Sequence, residues 1–141
     1  MAQTVSAAFA DTAYWIAMFL PGDPWHRAAR RASERLGKVR LVTADEVLAE
    51  FLTAVAAAGP VSRLRAVQFV RAILSNPAIE VHPQSRASLL RSMALYETRR
   101  DKRYSLTDCA AMAVMHSAGI TKALTSDRHF EQEGFVALMR D

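Results

Sequence analysis

Five short runs of strand character, each separated from the next by stretches of helical character, constrain this chain more than any other feature. The runs cover residues 5–10, 40–42, 79–81, 122–124 and 135–138. Helices are expected over residues 12–19, 25–36, 43–58, 62–74, 83–99, 105–117 and 127–133, with a polar link at 101–104. The stops between them are turn formers: Pro21-Gly22-Asp23-Pro24, Gly37, Gly59-Pro60, Asn76-Pro77 and Gly119. Thr43 with Glu46 three residues on reads as a capping box opening the third helix. Strands alternating with helices imply a mainly parallel sheet covered on both faces. The expectation is therefore an α/β fold in three layers, with roughly five strands. No break in composition, repeat or linker divides residues 1–141, so one domain is expected.

The chain is 51% apolar and 23% charged, which excludes a disordered or low-complexity scaffold. A single cysteine, Cys109, excludes a disulfide framework and a multi-thiolate zinc site; its apolar helix makes it a small core residue. The longest early apolar stretch, residues 12–20, is about half of what a bilayer span requires. Residues 1–4 carry no basic region of the signal-peptide kind, so a cytoplasmic protein is expected. The net charge is +4, and 15 of the 18 basic residues are arginine. Guanidinium groups pair phosphates bidentately, so the balance favours a polyanion such as RNA, although ordinary solubility explains it as well.

In a parallel sheet, ligands bind beyond the carboxyl ends of the strands. Asp11 directly follows the first run, in Phe9-Ala10-Asp11-Thr12, and Asp127 follows the fourth. Asp108 lies in the first turn of an apolar helix, and Glu50 sits within the apolar stretch Val47-Leu48-Ala49-Glu50-Phe51-Leu52. Each has a simpler reading: Asp108 as a first-turn acid, Asp127 as a helix cap, Glu50 as an exposed position. Asp11 is hardest to dismiss, because an unpartnered carboxylate between two apolar elements costs several kcal/mol to bury. If the four converge, their repulsion calls for a cation, and all-oxygen ligands favour Mg²⁺ or Mn²⁺ over zinc. Such a site suits phosphodiester hydrolysis.

Asp11-Thr12, Val47-Leu48-Ala49-Glu50, residues 101–108 ending in Ser105-Leu106-Thr107-Asp108, and Leu124-Thr125-Ser126-Asp127-Arg128-His129-Phe130 resemble the PIN-domain ribonucleases. The likeness is closest to VapC-type toxins and related stand-alone PIN proteins, and it spans nearly the whole chain. It implies a PIN-like fold and Mg²⁺- or Mn²⁺-dependent cleavage of single-stranded RNA. It also implies Asp11, Glu50, Asp108 and Asp127 as the catalytic, metal-binding acids, a VapB-type antitoxin as partner, and a homodimer. The chain departs from the family pattern at Ala13, where serine is frequent, and at Asp45 and Glu46, which rival Glu50. The alternatives are a stand-alone PIN nuclease for RNA processing and a non-catalytic PIN-like RNA-binding module.

Arg99, Arg100, Lys102 and Arg103 precede the Asp108 helix and read as a solvated face or as phosphate contacts. Arg128 could orient a phosphate; Thr12, Thr107 and Ser126 neighbour acids and could bond a carboxylate or water. Lys102, Arg103, Arg128, Thr12 and Ser126 are the candidate substrate-binding residues. Arg27, Arg30, Arg31 and Arg35 share a helix as a solvated face or groove flank. The four histidines show no ligand spacing and are given no metal role, and Trp15, Trp25 and Phe51 are assigned to core or interface. A phosphatase using an aspartyl nucleophile would place a second acid at position 13, which is alanine, and the paired acids of a receiver domain are not evident.

Overall fold

A computed structural model describes residues 6–140. Val5, the expected start of the first strand, and residues 1–4 lie outside the described residues. Within them the strands are β1 (Ala7–Ala10), β2 (Arg40–Ala44), β3 (Ile79–His82), β4 (Lys122–Leu124) and β5 (Val136–Ala137). The helices are α1 (Thr12–Phe19), α2 (His26–Leu36), α3 (Asp45–Ala54), α4 (Pro60–Ser75), α5 (Arg86–Thr98), α6 (Leu106–Ala118) and α7 (Arg128–Gln132). Short 3₁₀ turns follow α3 at Ala56–Ala58 and β5 at Leu138–Arg140.

All four strand pairings are parallel, in the order β3-β2-β1-β4-β5. The chain therefore leaves β1 toward β2 on one side and returns to pair β4 on the other. The carboxyl ends of β1 and β4 form the switch point at which open parallel sheets carry their ligand crevice. Ala8, Phe9 and Ala10 are wholly buried, as a central strand covered on both faces requires. Trp15, Phe19, Phe51 and Phe69 interlock edge to face or tilted. Met112 and Met115 of α6 join Phe130 and Met139 in the buried core. Cys109 is buried there too, while Trp25 is half-buried under the Arg140 guanidinium at 5.5 Å.

The expectation for Thr43 is overturned. It is the fourth residue of β2, wholly buried, and α3 begins after Ala44 with no side-chain cap. Its hydroxyl donates to the Ala10 carbonyl at 2.9 Å and accepts from the Trp15 indole N–H at 3.2 Å. A β-branched residue suits strand and cap alike, and here the buried indole claimed the hydroxyl. Two helix starts also shift. Pro60 occupies the first turn of α4, where its missing N–H costs nothing, and Ser85 caps α5 in a reciprocal box with Ser88. No helix among the described residues is long and apolar enough to cross a membrane.

Candidate metal-binding active site

β1 ends in Asp11, which starts α1 but does not use its side chain as a cap. Its carboxylate, 4% exposed, accepts the Thr125 hydroxyl proton at 2.8 Å. The same Thr125 oxygen accepts from the Asp127 backbone N–H at 3.0 Å, so one buried threonine ties the ends of β1 and β4 together. Burial pushes the Asp11 carboxyl from 3.8 up to about 7. Hydrogen bonds from Thr125 and the Thr12 backbone oppose that rise, and repulsion from Asp108 and Glu50 adds to it. Glu50, half-buried on α3, is near enough for its charge to act on the Asp11 carboxyl.

Asp108 is held in the first turn of α6. It completes a capping box with Ser105, in which its Oδ2 accepts the Ser105 N–H at 3.0 Å. Burial raises its pKa, with repulsion from Asp127 adding, while the Ser105 N–H and His129 counteract it. Asp127 caps α7 by accepting the His129 N–H at 2.9 Å. Asp108 and Asp127 therefore each fill the helix-terminal role that offered the simpler reading, and each is also drawn into one acidic group.

His129 is the residue that sequence reasoning missed. Its Nδ1 lies 3.0 Å from Asp108 Oδ2 and 3.4 Å from Asp127 Oδ1, and its ring packs on Tyr104 at 5.4 Å. Asp108, Asp127 and His129 each offer a ligand atom, all within 4.8 Å of one another. The only signal in the sequence was its place two residues after Asp127. Thr125 was missed as well, although a buried threonine just past the end of β4, two residues before a site acid, must find a partner.

Among the described residues, no lysine or arginine forms an ion pair with Asp11, Glu50, Asp108 or Asp127. The Thr12 hydroxyl beside Asp11 is buried and has no hydrogen-bond partner among the described residues. Hard oxygen donors at the switch point, short of compensating positive charge, fit a divalent cation.

The remaining expected residues divide. Asp45 accepts the Gln84 N–H at 3.0 Å and is occupied in fixing the turn before α5. Glu46 lines a concavity beside the site. Lys102, Arg103 and Arg128 are exposed, with Lys102 3.3 Å from Asp101, and the Ser126 carbonyl is fixed by Arg140 at 2.7 Å. Arg99 departs from the phosphate-contact reading. It grips Glu133 with two bonds of 2.8 and 2.9 Å, and Tyr104 and His116 join the same carboxylate. Arg100, Lys102 and Arg103 remain around a cleft of about 440 Å³ with Tyr96 and Tyr104.

Comparison with known proteins identifies the family and the fold. The 23S rRNA-specific endonuclease VapC20 from two strains of Mycobacterium tuberculosis is 32% identical over 140 residues, covering 91% of this chain and 95% of VapC20. The crystal structure of M. tuberculosis VapC20, described as a toxin cleaving the sarcin-ricin loop, superposes with a TM-score of 0.81 at 27% identity. It covers 93% of this chain and 97% of that one. Residues 8–135 match the PIN domain, and the chain belongs to the PIN-domain family.

Proposed function

We propose that this chain is a divalent-metal-dependent endoribonuclease, the toxin of a VapBC-type pair, with Mg²⁺ as its ion and Mn²⁺ as a substitute. The observation that carries the reading is geometric: the buried Asp11 carboxylate at the end of β1 is tied through Thr125 to Asp127, and Asp108, Asp127 and His129 each offer a ligand atom within 4.8 Å of the others. Asp11, Glu50, Asp108 and Asp127 are the residues to hold the ion. A divalent ion held by these residues would supply Lewis-acid chemistry for phosphodiester hydrolysis, both for an attacking water and for the charge on the leaving oxygen.

The chain's own groups prepare that chemistry. Thr125 fixes the Asp11 carboxylate, and His129 holds Asp108 and Asp127 in one orientation. Burial biases the Asp11 carboxyl toward its protonated form, so holding a cation there would be coupled to release of that proton. Arg103 and Arg128, exposed on either side in sequence, are the candidates to receive RNA phosphates, with Lys102, Thr12 and Ser126 assisting. VapC20 acts by name on 23S rRNA, so ribosomal RNA is the first substrate to test. A VapB-type antitoxin, a homodimer, a cytoplasmic location and a single domain over residues 1–141 complete the proposal.

The test is cleavage of labelled RNA. Mg²⁺ should support it, EDTA should abolish it, and Asp11→Asn should reduce it by orders of magnitude. Cleavage that survives both EDTA and the substitution rejects the reading.

A further inference from the structure

Glu46 was a rival of Glu50 in the sequence, and the structure gives it a different setting. It stands four residues before Glu50 on α3, about 6 Å along the helix axis. There it borders a concavity of about 470 Å³, within the roughly 300–1,000 Å³ of small-ligand pockets. Leu89, Leu106 and Ala110 supply apolar walls, Thr107 supplies a hydroxyl beside Asp108, and Arg86 supplies a guanidinium. Asp45 next to Glu46 is held by the Gln84 N–H, whereas no hydrogen bond or ion pair among the described residues engages Glu46. An unengaged acceptor beside apolar walls, next to a site for cleaving RNA, is the makeup of a base-reading pocket.

We propose that this concavity is a nucleobase subsite in which Glu46 selects guanine. The inference rests on the ribonuclease reading and adds the base recognised. A carboxylate accepts hydrogen bonds and donates none. Guanine alone offers two adjacent donors on one edge, its ring N1–H and its exocyclic amino group, and so binds a carboxylate bidentately. Uracil presents one N–H between two carbonyl oxygens that repel the carboxylate. Adenine and cytosine each present one amino group beside a ring-nitrogen lone pair. The apolar walls cover the base faces, Arg86 neutralises a neighbouring phosphate, and Thr107 places the subsite next to the carboxylates.

Two measurements test this on the full chain. In EDTA, GMP, AMP, CMP and UMP are titrated by NMR chemical-shift perturbation; in Mg²⁺, cleavage is mapped on RNAs carrying a single G at varied positions. A bidentate pair discriminates by roughly tenfold to a hundredfold, so GMP should be preferred by that factor. Cleavage should fall at a fixed distance from G. Glu46→Gln should erase both preferences, whereas Leu106→Ala should weaken all four nucleotides and keep their order. No preference among the nucleotides, or one that survives Glu46→Gln, overturns the subsite. Cleavage of RNA with a base preference untouched by Glu46→Gln overturns the subsite and leaves the nuclease standing. Selective GMP binding lost in Glu46→Gln, without cleavage of any RNA, supports the subsite and overturns the nuclease.

Discussion

Replacing Asp11 with asparagine should stabilise the metal-free protein while disabling it. The carboxyl is 4% exposed, and its pKa rises from 3.8 to about 7. At about 1.36 kcal/mol per unit, the charged form costs on the order of 4 kcal/mol in the folded state, a large share of the roughly 5–15 kcal/mol that holds a domain together. The sign follows from which state binds the proton more tightly. Below pH 3.8 both folded and unfolded chains carry it, and no difference exists. As pH rises from 3.8 to about 7 the unfolded chain ionises first, so stability declines across that window and the full cost stands above it. Asparagine removes the charge and still presents an oxygen to the Thr125 hydroxyl, at some cost for burying the amide. In EDTA at pH 8, Asp11→Asn should therefore be about 2–4 kcal/mol more stable, with a Tm higher by roughly 5–15 °C. At pH 4 the two proteins should melt together. Circular dichroism melts at the two pH values provide the assay. An unchanged or lower Tm for the variant at pH 8 refutes the claim that Asp11 is a buried, uncompensated charge.

Glu133 works in the opposite direction: its bonds to Arg99 above all hold its carboxyl near 2, below the ordinary 4.5. Its contribution is present above pH 4.5 and is lost as pH falls toward 2, so Glu133→Gln should cost about 1–3 kcal/mol in urea unfolding at pH 7 and progressively less below pH 4. Arg100→Ala with Arg103→Ala should reduce the log–log salt slope of RNA binding by about 0.7 for each phosphate that is no longer neutralised, measured in Ca²⁺ to suppress cleavage. Arg99→Ala should instead lower stability through Glu133, and an unchanged slope in the double variant would assign the cleft arginines to a solvated face.

The parts of the fold legible in the sequence were those set by local pattern. β4 and α1 fall on their expected residues because an abrupt change of character, or an acid followed by an apolar run, marks each end. Asp11 and Asp127 were legible as candidates because strand ends converge on one edge in a parallel sheet. Glu50 could not be separated from Asp45 and Glu46 by pattern. One helical turn brings Glu46 and Glu50 to the same face, and only the packing of α3 decides which charge acts on Asp11. Thr43, Thr125 and His129 depend on partners 33, 114 and 21 residues away, and no local pattern encodes such pairings. Arg99 looked like part of a basic run because its buried partner, Glu133, lies 34 residues further on.

Equilibrium binding of Mn²⁺ to the full chain at pH 7.5, followed by electron paramagnetic resonance, tests most directly whether the switch-point carboxylates act as one cation site. Asp11→Asn, Glu50→Gln, Asp108→Asn and Asp127→Asn should each weaken binding by about tenfold or more, the effect expected when a site loses a ligand or its immediate support. Asp45→Asn and Glu46→Gln should leave it unchanged, because one carboxylate is occupied at the Gln84 turn and the other lines the neighbouring concavity. Mn²⁺ affinity that survives both Asp11→Asn and Asp108→Asn, or that is lost in Glu46→Gln alone, would contradict the account.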